Sequence, residues 1–176
     1  MRIARFAVVL GFTVAMSASF AFDLTSNDIK PNGRLNEAQV ANTFGCSGGN
    51  VSPQLAWKNP PKGTKSYAIT AYDPDAPTGS GWWHWVTWNI PVATTSLAAG
   101  APLPEGAIAG RNDSGAPGFL GACPPPGAKA HRYVFKVFAL KVDKLELPND
   151  PMPAMVGFML NANALGSATL TARYGR

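Results

Sequence analysis

His131 to Leu140 alternates in strict period two, with His131, Tyr133, Phe135, Val137 and Ala139 on one side and Arg132, Val134, Lys136, Phe138 and Leu140 on the other. That spacing predicts a β-strand on which His131 and Tyr133 point the same way. Ser66 to Tyr72 is a β-branched and aromatic run ended by Asp73-Pro74, and it predicts a strand buried on both faces. His84 to Ile90 is similarly aromatic and β-branched and is closed by Pro91; period two places His84, Val86 and Trp88 on one face. Only Pro153 to Leu165 carries a helical period, with Met155, Phe158, Met159 and Ala162 as its apolar stripe, Pro153 suited to the first turn and Gly166 to the end. Ser167 to Tyr174 alternates like a final strand, whereas Phe22 to Asn50 is polar and turn-rich and reads as short strands and loops. Gly110 to Lys129, dense in Gly and Pro, is too long for a hairpin turn and reads as an ordered functional loop stiffened by Pro124-Pro125-Pro126. Strands predominate and helical cover comes late, so the predicted class is mainly β with minor α.

The first residues change the picture of where the chain works. Arg2 and Arg5 precede an apolar run from Phe6 to Met16, and small residues follow up to Ser19-Phe20-Ala21. This three-part pattern predicts a signal peptide over residues 1–21, cleaved after Ala21, and one domain over 22–176. The apolar run is shorter than the roughly 20 residues that span a bilayer, so no integral membrane segment is expected after cleavage. The expected location is periplasmic or secreted. Of 15 basic residues, Arg2 and Arg5 lie in this segment, leaving 13 against 10 acidic and a formal charge of +3. Lys58, Lys62 and Lys65 surround a turn instead of forming a basic stripe, so nucleic acid is not an expected partner.

Export bears on the two cysteines. An oxidising compartment favours a disulfide between Cys46 and Cys123. The competing reading makes Cys123 a nucleophile with His131 as its base, which requires an accessible thiolate.

The chemistry concentrates in two stretches. Asp73-Pro74-Asp75-Ala76-Pro77 is followed by Trp82-Trp83-His84-Trp85, placing two carboxylates, an imidazole and three indoles within thirteen residues. His131 and Tyr133 open the long strand after the Pro-rich loop. If Asp73, His84, His131 and Tyr133 converge, they form a small concave site fenced by Trp82, Pro124 and Pro125, suited to a phosphate or carboxylate group. Each histidine alone reads equally as a hydrogen-bonded sheet residue. Asp75 is expected to shape an Asx-Pro turn while Asp73 faces the pocket. Trp82, in the bend, is the wall candidate, and Trp83, Trp85 and Trp88 are expected to pack. Two histidines and one carboxylate also satisfy the ligand list of an open metal site, but no short ligand spacing is present, and no metal or cofactor is expected. Ser52, Ser80 and Ser114 lie in loops without a nucleophile elbow, and no phosphate-cradling glycine motif occurs.

Asp73 to Pro77 leading to His84-Trp85, Gly121-Ala122-Cys123-Pro124-Pro125-Pro126-Gly127 leading to His131-Arg132-Tyr133, and Asn50-Val51-Ser52-Pro53-Gln54-Leu55-Ala56-Trp57 together resemble the phosphatidylethanolamine-binding protein family. The resemblance is to its bacterial, Raf-kinase-inhibitor-like branch and runs from about Phe22 to the end. It implies a large antiparallel sheet, a smaller second sheet and peripheral helices, with a small anion pocket at one end. The family's pocket positions fall on Asp73, Trp82, His84, Pro124, Pro125, His131 and Tyr133. The resemblance implies binding of phosphate-bearing head groups or similar anions, without an accepted reaction. A short loop between Pro77 and Trp82 and the export pattern argue against a cytosolic kinase partner. Three functions are thereby set in order: a non-catalytic anion-binding protein, an interaction protein that inhibits a protease or modulates a host or envelope protein, and a hydrolase or metal-dependent enzyme. Tyr174, near the end of the chain, is a candidate cover for the pocket.

Overall fold

The structure, a computed structural model, describes residues 21–176. The expected signal peptide lies almost wholly outside these residues. Eight strands and one α-helix follow in chain order: β1 (Asp23–Thr25), β2 (Leu55–Lys58), β3 (Ser66–Asp73), β4 (Trp82–Pro91), β5 (Ser96–Leu97), β6 (Ile108–Ala109), β7 (His131–Leu140), α1 (Pro153–Asn163) and β8 (Ala164–Tyr174). A five-stranded antiparallel sheet runs in the order β6-β4-β3-β7-β8, and a three-stranded antiparallel sheet in the order β1-β2-β5. Mainly β with minor α, a large sheet and a smaller one, is therefore the architecture. A single 3-10 turn at Glu37–Gln39 lies in the segment read as short strands and loops.

Two cores explain the layering. Leu24, Leu55 and Trp57 of the small sheet pack with Tyr67, Ile69, Phe135, Val137 and Leu170 from one face of the large sheet. Val156 and Leu160 of α1 meet Ala68, Val86, Trp88, Phe138 and Leu140 on the other. β3 is buried along almost its whole length because apolar side chains of both parities find a core to enter. Burying each large side chain contributes roughly 1.5–3 kcal/mol before entropy is counted.

The helix docks by a different stripe from the one the sequence suggests. Pro153, Val156, Gly157 and Leu160 face inwards, while Met155 and Phe158 lie on the surface, Phe158 at 72% exposure. Both sets have helical spacing. Gly157 decides between them, since a Cβ there would stand 2.9 Å from the Trp83 ring, and its absence lets α1 approach β4 closely. The end of the helix also differs: the chain passes directly into β8 at Ala164, and Gly166 is a strand residue opposite Ala139.

Period two fails in β4, with direct consequences for the site. Between the pairs Ala71–Trp85 and Tyr72–Trp83 the register advances one residue on β3 and two on β4, so His84 is the extra residue of a β-bulge. A second shift lies between the Tyr67–Ile90 and Ile69–Thr87 pairs, where Asn89 adopts a left-handed φ of 58°. His84 consequently does not share a face with Val86 and Trp88. Its ring lies 5.1 Å from that of Tyr133, while Val86 and Trp88 pack beneath α1.

Candidate functional site

The end of the large sheet where β3 stops, β4 starts and β7 starts encloses a cavity of about 190 Å³. Asp73, Trp82, His84, Pro124, Pro125, His131 and Tyr133 all line it. Asp73 closes β3, while His131 and Tyr133 project from one face of β7, as alternation requires. The β4 bulge adds His84 to the same cavity. Trp82 forms a wall from the start of β4; Trp83, Trp85 and Trp88 pack in the cores, Trp85 edge-on to Phe119.

Asp73 and both imidazoles have defined partners. Nδ1 of His131 lies 2.7 Å from Oδ2 of Asp73, and both side chains are buried. A carboxylate only accepts, so His131 Nδ1 carries the hydrogen and Nε2 is the nitrogen left for a cavity occupant. His84 Nδ1 donates to the Leu120 carbonyl at 2.9 Å, which fixes its tautomer in the same way. Burial pushes the His84 imidazole below its ordinary value of 6.5, against the opposing pull of the Leu120 carbonyl and the Asp73 charge. The neutral ring presents Nε2 as an acceptor. Tyr133 is buried, its hydroxyl has no hydrogen-bond partner in the protein, and burial drives its phenol far above the usual range. It stays an O–H group at every ordinary pH.

The His84 shift implies a pH effect on stability. A folded value below the unfolded one means that the unfolded chain binds the proton first. Stability is therefore expected to fall as pH drops below about 6.5 and to level off below the folded value. His84→Asn, which retains a donor near the Nδ1 position, is expected to lack this component of the slope. Urea midpoints at several pH values between neutrality and mild acid check it; parallel slopes for the two proteins would refute it.

The two aspartates divide the work differently from the expected scheme. Asp73 builds the Asx turn, its Oδ1 accepting the Asp75 N–H at 2.8 Å while Oδ2 holds His131. Asp75 reaches instead to Arg132, accepting its backbone N–H, Nε and Nη2 at 2.8, 2.9 and 2.7 Å. The Arg132 side chain holds the Asp75 carboxyl well below the usual carboxylate range. Tyr174 does not line the cavity; it sits opposite His131 in the β7–β8 register with the Arg34 guanidinium over its ring.

Phe44, Ala76, Pro77, Thr78, Leu120, Gly121 and Cys123 complete the walls; none of them is among the pocket positions read from the sequence. Phe44 is 60% exposed at a left-handed φ of 56°. Aromatic residues rarely take that conformation, and only a position read this way in three dimensions marks it. The Leu120–Cys123 wall is held on both sides. Leu120 N donates to the His84 carbonyl, Gly121 N to Asn50 Oδ1, and Ala122 exchanges backbone bonds with Gln39 and Ala41. A Cβ on Gly121 would lie 2.4 Å from the Ala41 nitrogen, so this approach requires glycine.

Cys46 and Cys123 form a disulfide, which removes the thiol that a nucleophilic Cys123 would need. The Arg176 guanidinium ties the same region together, donating to the Pro124 and Gly45 carbonyls at 2.7 Å each. Among the described residues no group of three or more His, Cys, Asp and Glu is placed to hold a metal ion. Likewise, no described helix is long and apolar enough to cross a membrane.

Comparison with known proteins agrees with this fold. The profile described as phosphatidylethanolamine-binding protein matches residues 25–175. The UPF0098 protein YbcL of Escherichia coli K12 is 51% identical over 172 residues, covering 94% of each chain. YbhB of the same organism is 44% identical over 156 residues, covering 86% of this chain and 98% of its own. The crystal structure of E. coli YbcL, presented as a new member of the mammalian PEBP family, matches at 52% identity with a TM-score of 0.85, covering 88% of this chain and 98% of that one. With the profile spanning nearly all of the described residues and this fold shared at such identity, the chain belongs to the phosphatidylethanolamine-binding protein family.

Proposed function

We propose that this protein is an exported binding protein that holds a small anion, a phosphate-bearing head group or metabolite, in the β3–β4–β7 cavity without turning it over. The observation that carries the reading is the buried, unpartnered Tyr133 hydroxyl beside two imidazoles whose Nδ1 atoms are already committed. A buried donor without an acceptor costs about 1–3 kcal/mol, and a bound oxyanion would supply the acceptor. His131 Nε2, when protonated, adds a charge-assisted donor, and neutral His84 accepts from a protonated phosphate oxygen or an ammonium tail. The volume suits a head group more than a whole lipid. With Cys123 in a disulfide, the walls contain no thiolate nucleophile, which favours retention over reaction. The disulfide also favours an oxidising location, periplasmic or secreted, consistent with the N-terminal pattern.

The test is calorimetric titration with O-phosphoethanolamine of the wild type, His131→Ala and Tyr133→Phe, alongside native mass spectrometry of protein taken from its own compartment. His131→Ala is expected to weaken binding at least about tenfold, and Tyr133→Phe to weaken it less. Equal affinity in all three would remove the cavity as the site. A second reading, an interaction protein acting through the pocket rim on a protease or host protein, draws on the exposed Phe44. Specific recovery of a partner by the wild type, lost in Phe44→Ala, would favour it.

A further inference from the structure

On the outer side of His131 a groove of about 400 Å³ is lined by Asp75, Lys129, Ala130, His131, Arg132 and Arg173. Its cations come from three places in the sequence. Lys129 ends the Pro-rich loop, Arg132 is the second residue of β7, and Arg173 stands directly opposite Arg132 on β8. Like charges facing each other across an antiparallel pair repel and are destabilising. The one acid in the groove does not relieve both. Asp75 spends its carboxylate on the backbone and guanidinium of Arg132, and among the described residues Arg173 and Lys129 make no side-chain hydrogen bond or ion pair. Lys129 and Arg173 are exposed. A concave site thus carries two uncompensated cations next to a third that is held rigid by its partner.

We propose that this groove is a second oxyanion subsite, taking a phosphate group through Lys129 and Arg173 with Arg132 as a fixed neighbour. The subsite does not depend on the cavity: Lys129 and Arg173 do not line it, and Tyr133 does not line the groove. His131 stands between the two. A free phosphorylated metabolite and an anionic lipid head group offer the same chemistry, so the experiment has an arm for each.

The probes are inorganic phosphate, followed by NMR at the backbone amides of positions 129, 132, 133 and 173, and vesicles of phosphatidylglycerol or phosphatidylcholine in a flotation assay. The proteins are the wild type, the double variant Lys129→Gln/Arg173→Gln, and Tyr133→Phe. Phosphate is expected to shift the groove signals in the wild type and Tyr133→Phe, and to bind there about tenfold more weakly or not at all in the double variant. Flotation with phosphatidylglycerol alone, lost in the double variant, would assign the group to a lipid; phosphate shifts without flotation would assign it to a soluble molecule. Because Arg173→Gln removes a repulsion, the double variant is expected to melt no lower than the wild type at low salt, which separates lost binding from lost folding. Unchanged shifts and flotation in the double variant overturn the subsite. Loss of the Tyr133 response alone leaves the subsite standing and counts against the cavity.

Discussion

The Cys46→Ser/Cys123→Ser double variant is expected to be less stable than the parent by about 4 kcal/mol and to melt roughly 10 °C lower. The bridge joins residues 77 apart in sequence. On the chain-entropy account a loop of that length restricts the unfolded chain substantially, and the cost of losing it grows only slowly with further length. The effect should reach the cavity as well. Cys123 lines it, and Cys46 lies two residues from Phe44, another lining residue, so the bridge joins two segments of one pocket wall. Urea unfolding gives the stability and titration with O-phosphoethanolamine the affinity. A midpoint shared by the double variant and the oxidised parent would show that the Arg176 contacts to Gly45 and Pro124 already hold this region.

Asp73→Ala is expected to cost about 2–3 kcal/mol, because it removes a buried acceptor and strands the donors that it serves. Both oxygens of this carboxylate are engaged: Oδ1 by the Asp75 N–H and Oδ2 by His131 Nδ1. Loss of the first loosens the turn that aims Asp75 at Arg132. Loss of the second frees a buried ring whose orientation defines the cavity. Asp73→Asn is expected to recover much of the stability, since its carbonyl oxygen still accepts the turn hydrogen bond. Its amide, however, donates where the carboxylate accepted, so His131 must carry its hydrogen on Nε2. Nitrogen chemical shifts of His131 should report the changed tautomer. Equal destabilisation by Ala and Asn would indicate that charge, not hydrogen bonding, holds this pair.

The basic groove shows why the distribution of charge along a chain can mislead. Lys129, Arg132 and Arg173 form no run in the sequence, and linear inspection finds only a mild net charge. Antiparallel pairing of β7 with β8 places two of them face to face, and the loop before β7 delivers the third.

What local pattern determined by itself was the longer strands and part of the cavity. β7 alternates without interruption, so period two alone put His131 and Tyr133 on one face, and the Asp-Pro stop placed Asp73 at the end of β3. The Trp-His bend and the Pro-rich loop supplied Trp82, His84, Pro124 and Pro125, positions that the motif resemblance shares, and the folded chain brings them together with the others. Tertiary structure decided three matters. The bulge at His84 turned that ring towards Tyr133, because a one-residue insertion in one strand inverts the alternation, and nothing in Trp82-Trp83-His84-Trp85 marks where the partner strand will skip. Choice of the buried helix stripe rested on Gly157 fitting under Trp83, a contact between segments more than seventy residues apart. Phe44 became a pocket wall because a left-handed turn and the bridge from Cys46 to Cys123 carry it there. Periodicity records which face of an element is apolar; where two apolar faces compete, or a strand skips a residue, only the shape of the opposing surface chooses.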